Sequence, residues 1–286
     1  RILKKHQKTG YVVDKGLIIR NNKGKAIRMV GAMTDISERK LHEAESLELN
    51  ESLKRYTEKL EKTNEQLEQF AFIASHDLQE PLRMVTNFLE QLQRKYENQL
   101  DDKAKKYIYF ATDGAKRMRK IILDLLEYSR VGKIDEKLET VDLNEIISDY
   151  KLLRSKIISD KNAVIRFNLL PEILIYRIPL VQTLHCLLDN AIKFNKNGEA
   201  PKIEITALEK DGKWIISIAD NGIGIEREYF DKIFIIFQRL HTHDQYEGTG
   251  IGLSLSKKHV ESWGGNIWIE SKIDFGTTVY FSIPKQ

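Results

Sequence analysis

Phe70-Ala71-Phe72-Ile73-Ala74-Ser75-His76-Asp77-Leu78-Gln79-Glu80-Pro81-Leu82-Arg83 lies inside a long helical pattern and decides how the chain is read. Apolar or small residues recur through it at Leu53, Thr57, Leu60, Asn64, Leu67, Ala71, Ala74, Leu78, Pro81, Val85, Phe88 and Leu92. The steps alternate four and three, which is a heptad seam, polar only at Thr57 and Asn64. At about 100° per residue, His76 falls roughly 180° from the seam midpoint, on a face shared with Glu80 and Arg83. A helix that buries this seam therefore turns an imidazole to solvent. For a lone histidine an ordinary surface residue is the simpler reading, so the rest of the chain must decide its role.

The 286 residues exceed what one core usually serves, so more than one domain is expected. At 41% hydrophobic and 31% charged, with no apolar run of membrane length, no part of the sequence reads as bilayer-spanning. A net charge of +4 spread among interspersed acids argues against a dedicated nucleic-acid surface. The single cysteine, Cys186, excludes an internal disulfide framework and fits a reducing, cytoplasmic compartment. The chain opens at Arg1 within a strand-like pattern, which reads as an excerpt of something longer; a membrane anchor upstream stays open.

Residues 1–36 read as strands (Tyr11–Val13, Leu17–Ile19, Ala26–Thr34) around a turn at Asn21–Gly24. They end in Asp35-Ile36-Ser37, which resembles the close of a PAS sensor domain before its coupling helix, with Ser37 for the usual Thr. Residues 37–66 begin a helix pattern that runs to 96 and reads as a dimeric coiled coil. Pro81 is expected to bend the helix just beyond His76. Asn98, Asp101 and Asp102 signal a turn and cap, and a second helix has its seam at Ala104, Ile108, Ala111, Ala115, Met118, Ile122 and Leu125. Residues 67–130 are thus an antiparallel hairpin with more apolar surface than one hairpin hides, and two would form a dimeric four-helix bundle.

After a linker at 131–140, residues 141–286 turn α/β. Asp142 caps a helix with Glu145 three residues on, as in a capping box. Strands alternate at 163–167, 172–176, 202–208, 214–219, 266–270 and 278–283, and a helix from Pro179 carries Leu184, Leu187, Leu188 and Ala191. A mixed sheet with helices on one face is expected. Asp220-Asn221-Gly222-Ile223-Gly224 follows a strand, and Gly248-Thr249-Gly250-Ile251-Gly252 precedes a helix. The second loop brings backbone N–H groups and a helix N-terminus to an anion, without the Gly-Lys-Ser/Thr of a Walker loop. Asp189-Asn190-Ala191-Ile192-Lys193-Phe194 ends an apolar helix with an oxygen ligand suited to Mg²⁺ and a cation suited to phosphate. Phe234–Arg239 reads as well as a core helix as anything functional. His241-x-His243 lacks a third metal ligand, and His241–Glu247 reads as a mobile loop.

In this order the four elements resemble the N, G1, F and G2 boxes of sensor histidine kinases, and His76–Pro81 resembles their H box, closest to the phytochrome-like kinases. The resemblance implies an α/β sandwich of Bergerat type that binds ATP and Mg²⁺. It further implies His76 as phospho-acceptor with Asp77 as acid/base partner, and Asn190 on the metal with Lys193 near the phosphates. Asp220 would accept from adenine in a pocket shaped by Gly222 and Gly224. Gly248, Thr249, Gly250 and Gly252 would line the phosphates, with His241–Glu247 in the lid. A homodimer, an upstream sensor domain and a response-regulator receiver domain are the implied partners. Two positions depart from the pattern: Cys186 stands where Asn is frequent, and Glu80 where Thr or Asn positions water for dephosphorylation. Two alternatives stay open. One is an ATP-driven conformational ATPase of the same superfamily, whose water-activating glutamate would sit at Cys186; the other is a non-catalytic scaffold.

Overall fold

The computed structural model describes residues 2–3, 9–132, 137–240, 246 and 248–285. The expected lid, His241–Glu247, and the middle of the expected linker lie outside the described residues, apart from Tyr246. The chain divides into two units, Arg1–Leu67 and Glu68–Gln286.

In the first unit, strands β1 (Ile2–Leu3) and β2 (Thr9–Gly10) pair, and β3 (Val12–Arg20) forms an antiparallel hairpin with β4 (Ala26–Asp35). Tyr11–Val13 and Leu17–Ile19 do not form two strands. Val12–Arg20 is one, because Lys15 and Gly16 continue the pairing across to Ala32 and Gly31. The turn falls at Asn21, whose side chain accepts from the N–H groups of Lys23 and Lys25. Helix α1 (Ser37–Tyr96) begins where the Asp35 carboxylate accepts from Ser37 N at 2.9 Å, while Ser37 Oγ accepts from Tyr11 N at 2.9 Å. A hydroxyl at position 37 thus ties the helix start to the strand beside it. Leu53 and Leu60, both seam positions, are exposed.

In the second unit, α1 continues through Pro81 to Tyr96, and α2 (Asp102–Arg130) returns antiparallel to it. Asp101 caps α2 by accepting from Ala104 N at 2.7 Å. Lys116 pairs with Glu90 at 2.6 Å, and the Arg130 guanidinium lies over the Phe72 ring. The packing seam is displaced from the expected one. Ser75, Ile108, Thr112 and Ala115 are buried, and Gln79, Leu82, Thr86 and Leu89 are half-buried. Leu78, Val85, Phe88 and Leu92 of the expected α1 seam are exposed, as is Met118 in α2, and Thr112 is buried in preference to Ala111. Ser75, Gln79, Leu82, Thr86 and Leu89 themselves alternate four and three, so α1 carries two adjacent heptad stripes. The polar one faces the hairpin partner and the apolar one faces out. Among the described residues, no helix is long and apolar enough to cross a membrane.

The α/β part opens with β5 (Glu139–Asp142), which begins within the last two residues of the stretch read as linker and pairs antiparallel with β7 (Glu172–Ile175). Asp142 caps α3 (Leu143–Leu153) through Asn144 N, but the reciprocal contact from Glu145 is absent because Glu145 binds Arg177 at 3.1 Å. A short α4 (Ser155–Asp160) and α5 (Arg177–Lys193) flank β6 (Val164–Phe167) and β7. The main sheet is completed by β8 (Lys202–Lys210), β9 (Lys213–Asp220), β10 (Ile267–Lys272) and β11 (Gly276–Pro284), in the order β10-β11-β9-β8-β6. Among the described residues, β6 and β8 are the one parallel pair, because α5 lies in the crossover between them. Ile203 and Ile205 alternate with Lys202, Glu204 and Thr206, so one face is apolar and is covered by α5 and α6 (Gly252–Ser262). Phe281, Ile216, Ile218, Leu184 and Leu188 fill the layer between.

The end of α5 is pinned to α3 by one carboxylate. Asp189 accepts from Tyr150 Oη at 2.8 Å and from Arg154 Nε and Nη2 at 3.0 and 2.6 Å. Burial and the neighbouring Asp189 push the Tyr150 phenol upward, so it stays a donor. The residue before Asn190 is thereby a structural anchor. Asp189→Ala leaves both donors unmatched and is expected to lower stability by about 1–3 kcal/mol, read as a drop in the urea midpoint; an unchanged midpoint would remove the anchor.

Candidate functional site

His76 stands on the solvent face of α1 with its side chain 76% exposed. Its Nδ1 lies 3.3 Å from Asp77 Oδ1, so the adjacent carboxylate holds one ring nitrogen and leaves the other outward. Glu80, also on that face, pairs instead with Arg83 at 3.2 Å. Of the two carboxylates near the imidazole, Asp77 is therefore the engaged one.

The other cluster gathers at one end of the main sheet. Asp220, the last residue of β9, is largely enclosed. Its Oδ1 accepts from Gly222 N at 2.8 Å and from Thr277 N at 3.1 Å, and no donor among the described residues reaches Oδ2. Burial raises its pKa, while the two N–H groups work the other way. One oxygen is thus fixed by backbone and the other is left to accept from an incoming donor.

The backbone reaches this carboxylate because glycines stand where a side chain would collide. A Cβ on Gly222 would lie 2.3 Å from Phe194 O, and one on Gly276 would lie 1.9 Å from Asp220 O. Gly224, at φ +74°, packs its α-carbon against Lys272 O in the same way. Asn221 braces the loop by accepting from Lys202 N and donating to Ala200 O. Gly276 and Thr277 were not singled out in the sequence. Their only signal is a glycine immediately before a β-rich run, which is a common turn pattern.

Asn190 and Lys193, one turn apart at the end of α5, meet the second glycine loop. Lys193 Nζ lies 3.2 Å from where a Cβ on Gly248 would be and 4.0 Å from the Phe194 ring centroid. Burial, and then the charges of Arg239 and Lys120, lower its pKa to about 8. The Asn190 amide nitrogen faces Cys186 Sγ at 3.8 Å, so its oxygen is the atom left for a ligand. The thiol is buried and pushed up to about 11, and it lies under Gly252, whose Cβ would approach it to 2.7 Å. Phe234–Arg239 is not a helix: a 3₁₀ turn ends at Phe234, and Phe237 takes φ +64° so that its N–H donates to Gly250 O. The Arg239 guanidinium donates to Tyr246 O. This segment therefore shapes the glycine loop from outside. Thr249 Oγ1 donates to Asp124 Oδ2 on α2 at 2.5 Å, a contact with no counterpart in the sequence reading.

Among the described residues no three His, Cys, Asp or Glu side chains converge as a metal cluster. A cation here would need most of its oxygens from a bound ligand and water, which is the habit of Mg²⁺ at phosphate sites.

Two family models match the chain. Residues 66–133 match the His Kinase A (phospho-acceptor) domain, and residues 176–286 match the histidine kinase-, DNA gyrase B- and HSP90-like ATPase. The phytochrome-like protein Cph1 of Synechocystis is 40% identical over 234 residues, covering 82% of this chain and 31% of that protein. Cyanobacterial phytochrome A of Nostoc is 43% identical over 229 residues, covering 79% and 29%. The chain therefore spans less than a third of the length of these two relatives. Among solved structures, histidine kinase ThkA in complex with response regulator protein TrrA has a TM-score of 0.52 at 26% identity, covering 96% of this chain and 75% of that one. Full-length ShkA in complex with AMPPNP shares the fold, with a TM-score of 0.61 over 76% of this chain and 45% of that one, at 24% identity. With a phospho-acceptor hairpin and an ATPase-type sheet in one chain, and phytochrome-like relatives across most of its length, the chain belongs to the sensor histidine kinases.

Proposed function

We propose that the chain binds Mg-ATP at the Asp220 end of the sheet, autophosphorylates His76, and passes the phosphoryl group to an aspartate of a response-regulator receiver domain. The observation that carries this reading is the Asp220 carboxylate, which is enclosed by glycines, fixed at one oxygen and free at the other. It suits an exocyclic amine such as that of adenine. Gly222 and Gly224 keep the pocket floor to backbone thickness. Asn190 would hold Mg²⁺ through its amide oxygen, and the ion when bound neutralises phosphate charge. Lys193 and the N–H groups of Gly248, Thr249, Gly250 and Gly252 meet the phosphates, with the α6 N-terminus behind them. His76 supplies the nucleophile: its outward ring nitrogen bonds to the γ-phosphorus as the bond to the bridging oxygen breaks and ADP leaves, while Asp77 orients the ring and receives the proton from the other ring nitrogen.

The domain reading that goes with this is a PAS-type end at 1–36, a coiled-coil helix at 37–66, a phosphotransfer hairpin at 67–130, a linker at 131–140 and an ATP-binding domain at 141–286. Support for a homodimer comes from the outward apolar stripe of α1, Leu78, Val85, Phe88 and Leu92, which the hairpin leaves exposed. An upstream sensor domain and a cytoplasmic setting complete the proposal. The conformational-ATPase alternative would need a carboxylate to activate water where the buried Cys186 thiol stands.

Incubation with γ-labelled ATP and Mg²⁺ tests the proposal. The label is expected on wild type, acid-labile, absent from His76→Gln, and absent from Asp220→Asn; label that survives His76→Gln or resists acid would contradict it. The depressed Lys193 pKa predicts a pH dependence. Lys193 is charged below about 8 and neutral above it, so nucleotide affinity should fall, roughly tenfold, between about pH 7 and pH 9. Calorimetric titration of Lys193→Arg, which keeps its charge, should show no such fall; a parallel fall in both proteins would assign the dependence to another group.

A further inference from the structure

α2 touches the glycine loop with charged residues on one face. Lys120, Asp124, Glu127 and Tyr128 fall at helical spacing, four, three and one apart. Asp124 Oδ2 accepts from Thr249 Oγ1, and Thr249 Oγ1 in turn accepts weakly from Ile251 N at 3.4 Å, at the start of α6. Lys258 Nζ, on α6, donates to Tyr128 O at 2.7 Å and lies over the Tyr128 ring. Gln182, on α5, donates to Glu127. Three contacts therefore hold this face of α2 against the helices that frame the loop.

The contact sets a carboxylate beside a loop whose chemistry suits an anion. A helix N-terminus lined with glycines favours an anion, and the cations around it, Lys193, Arg239 and Lys120, add to that preference. The Asp124 carboxylate reaches this loop through the Thr249 hydroxyl. Glu127 lies behind it, and burial together with the charge of Asp124 makes its own ionisation harder. A triphosphate entering the loop meets Asp124 on the same hydroxyl and Glu127 close behind, both repelling it.

The position of the contact along the hairpin matters too. Lys116 meets Glu90 and Arg130 meets Phe72, and these pairings bracket Asp124 on α2 as they bracket His76 on α1. Interpolation between them puts Asp124 within about one turn of His76 along the axis. The loop is thus held near the height of the acceptor, with its Thr249 hydroxyl engaged by Asp124.

We propose that Asp124 is an intramolecular latch, a carboxylate that holds the Thr249 hydroxyl of the phosphate loop, competes with the nucleotide for it, and is displaced when the triphosphate binds. The latch rests on the nucleotide-binding reading above. Expulsion of Asp124 breaks the central contact between α2 and the loop, so nucleotide entry loosens the ATP-binding part from the hairpin. The occupied loop is then able to turn its terminal phosphate toward the imidazole.

Calorimetric titration of the full chain with Mg-ADP and with a non-hydrolysable Mg-ATP analogue tests the latch. Asp124→Asn keeps the shape of the side chain and removes its charge, and it is expected to bind the analogue about tenfold tighter than wild type, the change that ~1.4 kcal/mol of relieved competition produces. The gain for Mg-ADP should be smaller, because it brings one phosphate fewer. Affinity equal to wild type, or weaker, would overturn the latch. Lys258→Met removes a clamp outside the loop and is expected to tighten binding in the same direction; if Asp124→Asn fails to fold, unchanged or weaker binding in Lys258→Met overturns the proposal alone. A wild-type chain that binds neither ligand would defeat the nucleotide reading itself, which these titrations separate from failure of the latch.

Discussion

The pairing of Asp220 Oδ1 with the N–H groups of Gly222 and Thr277 is the interaction on which the rest depends. It joins the end of β9 to the start of β11 and so fixes the edge of the sheet from which both loops emerge. An enclosed carboxylate is costly to desolvate, and two backbone donors on one oxygen offset that cost while leaving the other oxygen for a ligand. The arrangement requires backbone to approach backbone more closely than any Cβ permits, which is why glycine stands at 222, 224 and 276. Asn221 and Ser271 tie the same loop to the neighbouring strands through Lys202 N and Ile225 N. The pocket is built by covalent connectivity and hydrogen bonds rather than by mobile side chains, so it needs little ordering when a ligand arrives.

How much of this was legible depended on whether a signal was local. The long helix α1, the α2 helix with its cap at Asp101, and the alternating strands β8, β9 and β11 are legible from periodicity and cap signals, and the structure carries them. The seam was harder, because α1 bears two heptad stripes side by side and hydrophobicity selects the outer one. The hairpin instead packs through Ser75, Gln79, Leu82, Thr86 and Leu89 with Ile108, Thr112 and Ala115, a stripe that mixes polar with apolar residues and that composition undervalues. Phe234–Arg239 looked helical by its aromatics, yet Phe237 needs a left-handed backbone to reach Gly250 O, a tertiary requirement with no sequence mark. Of the site, the glycine loops, Asn190, Lys193 and Asp220 were readable as motifs. Thr277, Gly276 and Asp124 were not, since each acts through a partner 57, 56 or 125 residues away that only the fold supplies.

The hairpin and the sheet divide the proposed reaction between them. His76 is exposed and, among the described residues, held by Asp77, which suits a group proposed to receive a phosphoryl from one protein surface and present it to another. The proposed nucleotide end is enclosed, tied by backbone hydrogen bonds, and has Lys193, Arg239 and Lys120 close together. The contacts named between these parts, Thr249 with Asp124, Lys258 with Tyr128 and Gln182 with Glu127, are polar, which suits a surface that exchanges rather than a permanent core. Asp189, by contrast, anchors the α5 end to α3 with three hydrogen bonds, keeping Asn190 and Lys193 in place while the parts move.

A crystal structure of the chain with a non-hydrolysable ATP analogue tests the central claim most directly. The account predicts the adenine amine on Asp220 Oδ2, phosphates along Gly248–Gly252, and Thr249 released from Asp124. A base bound away from Asp220, with the Oδ2 position taken by solvent, would contradict it.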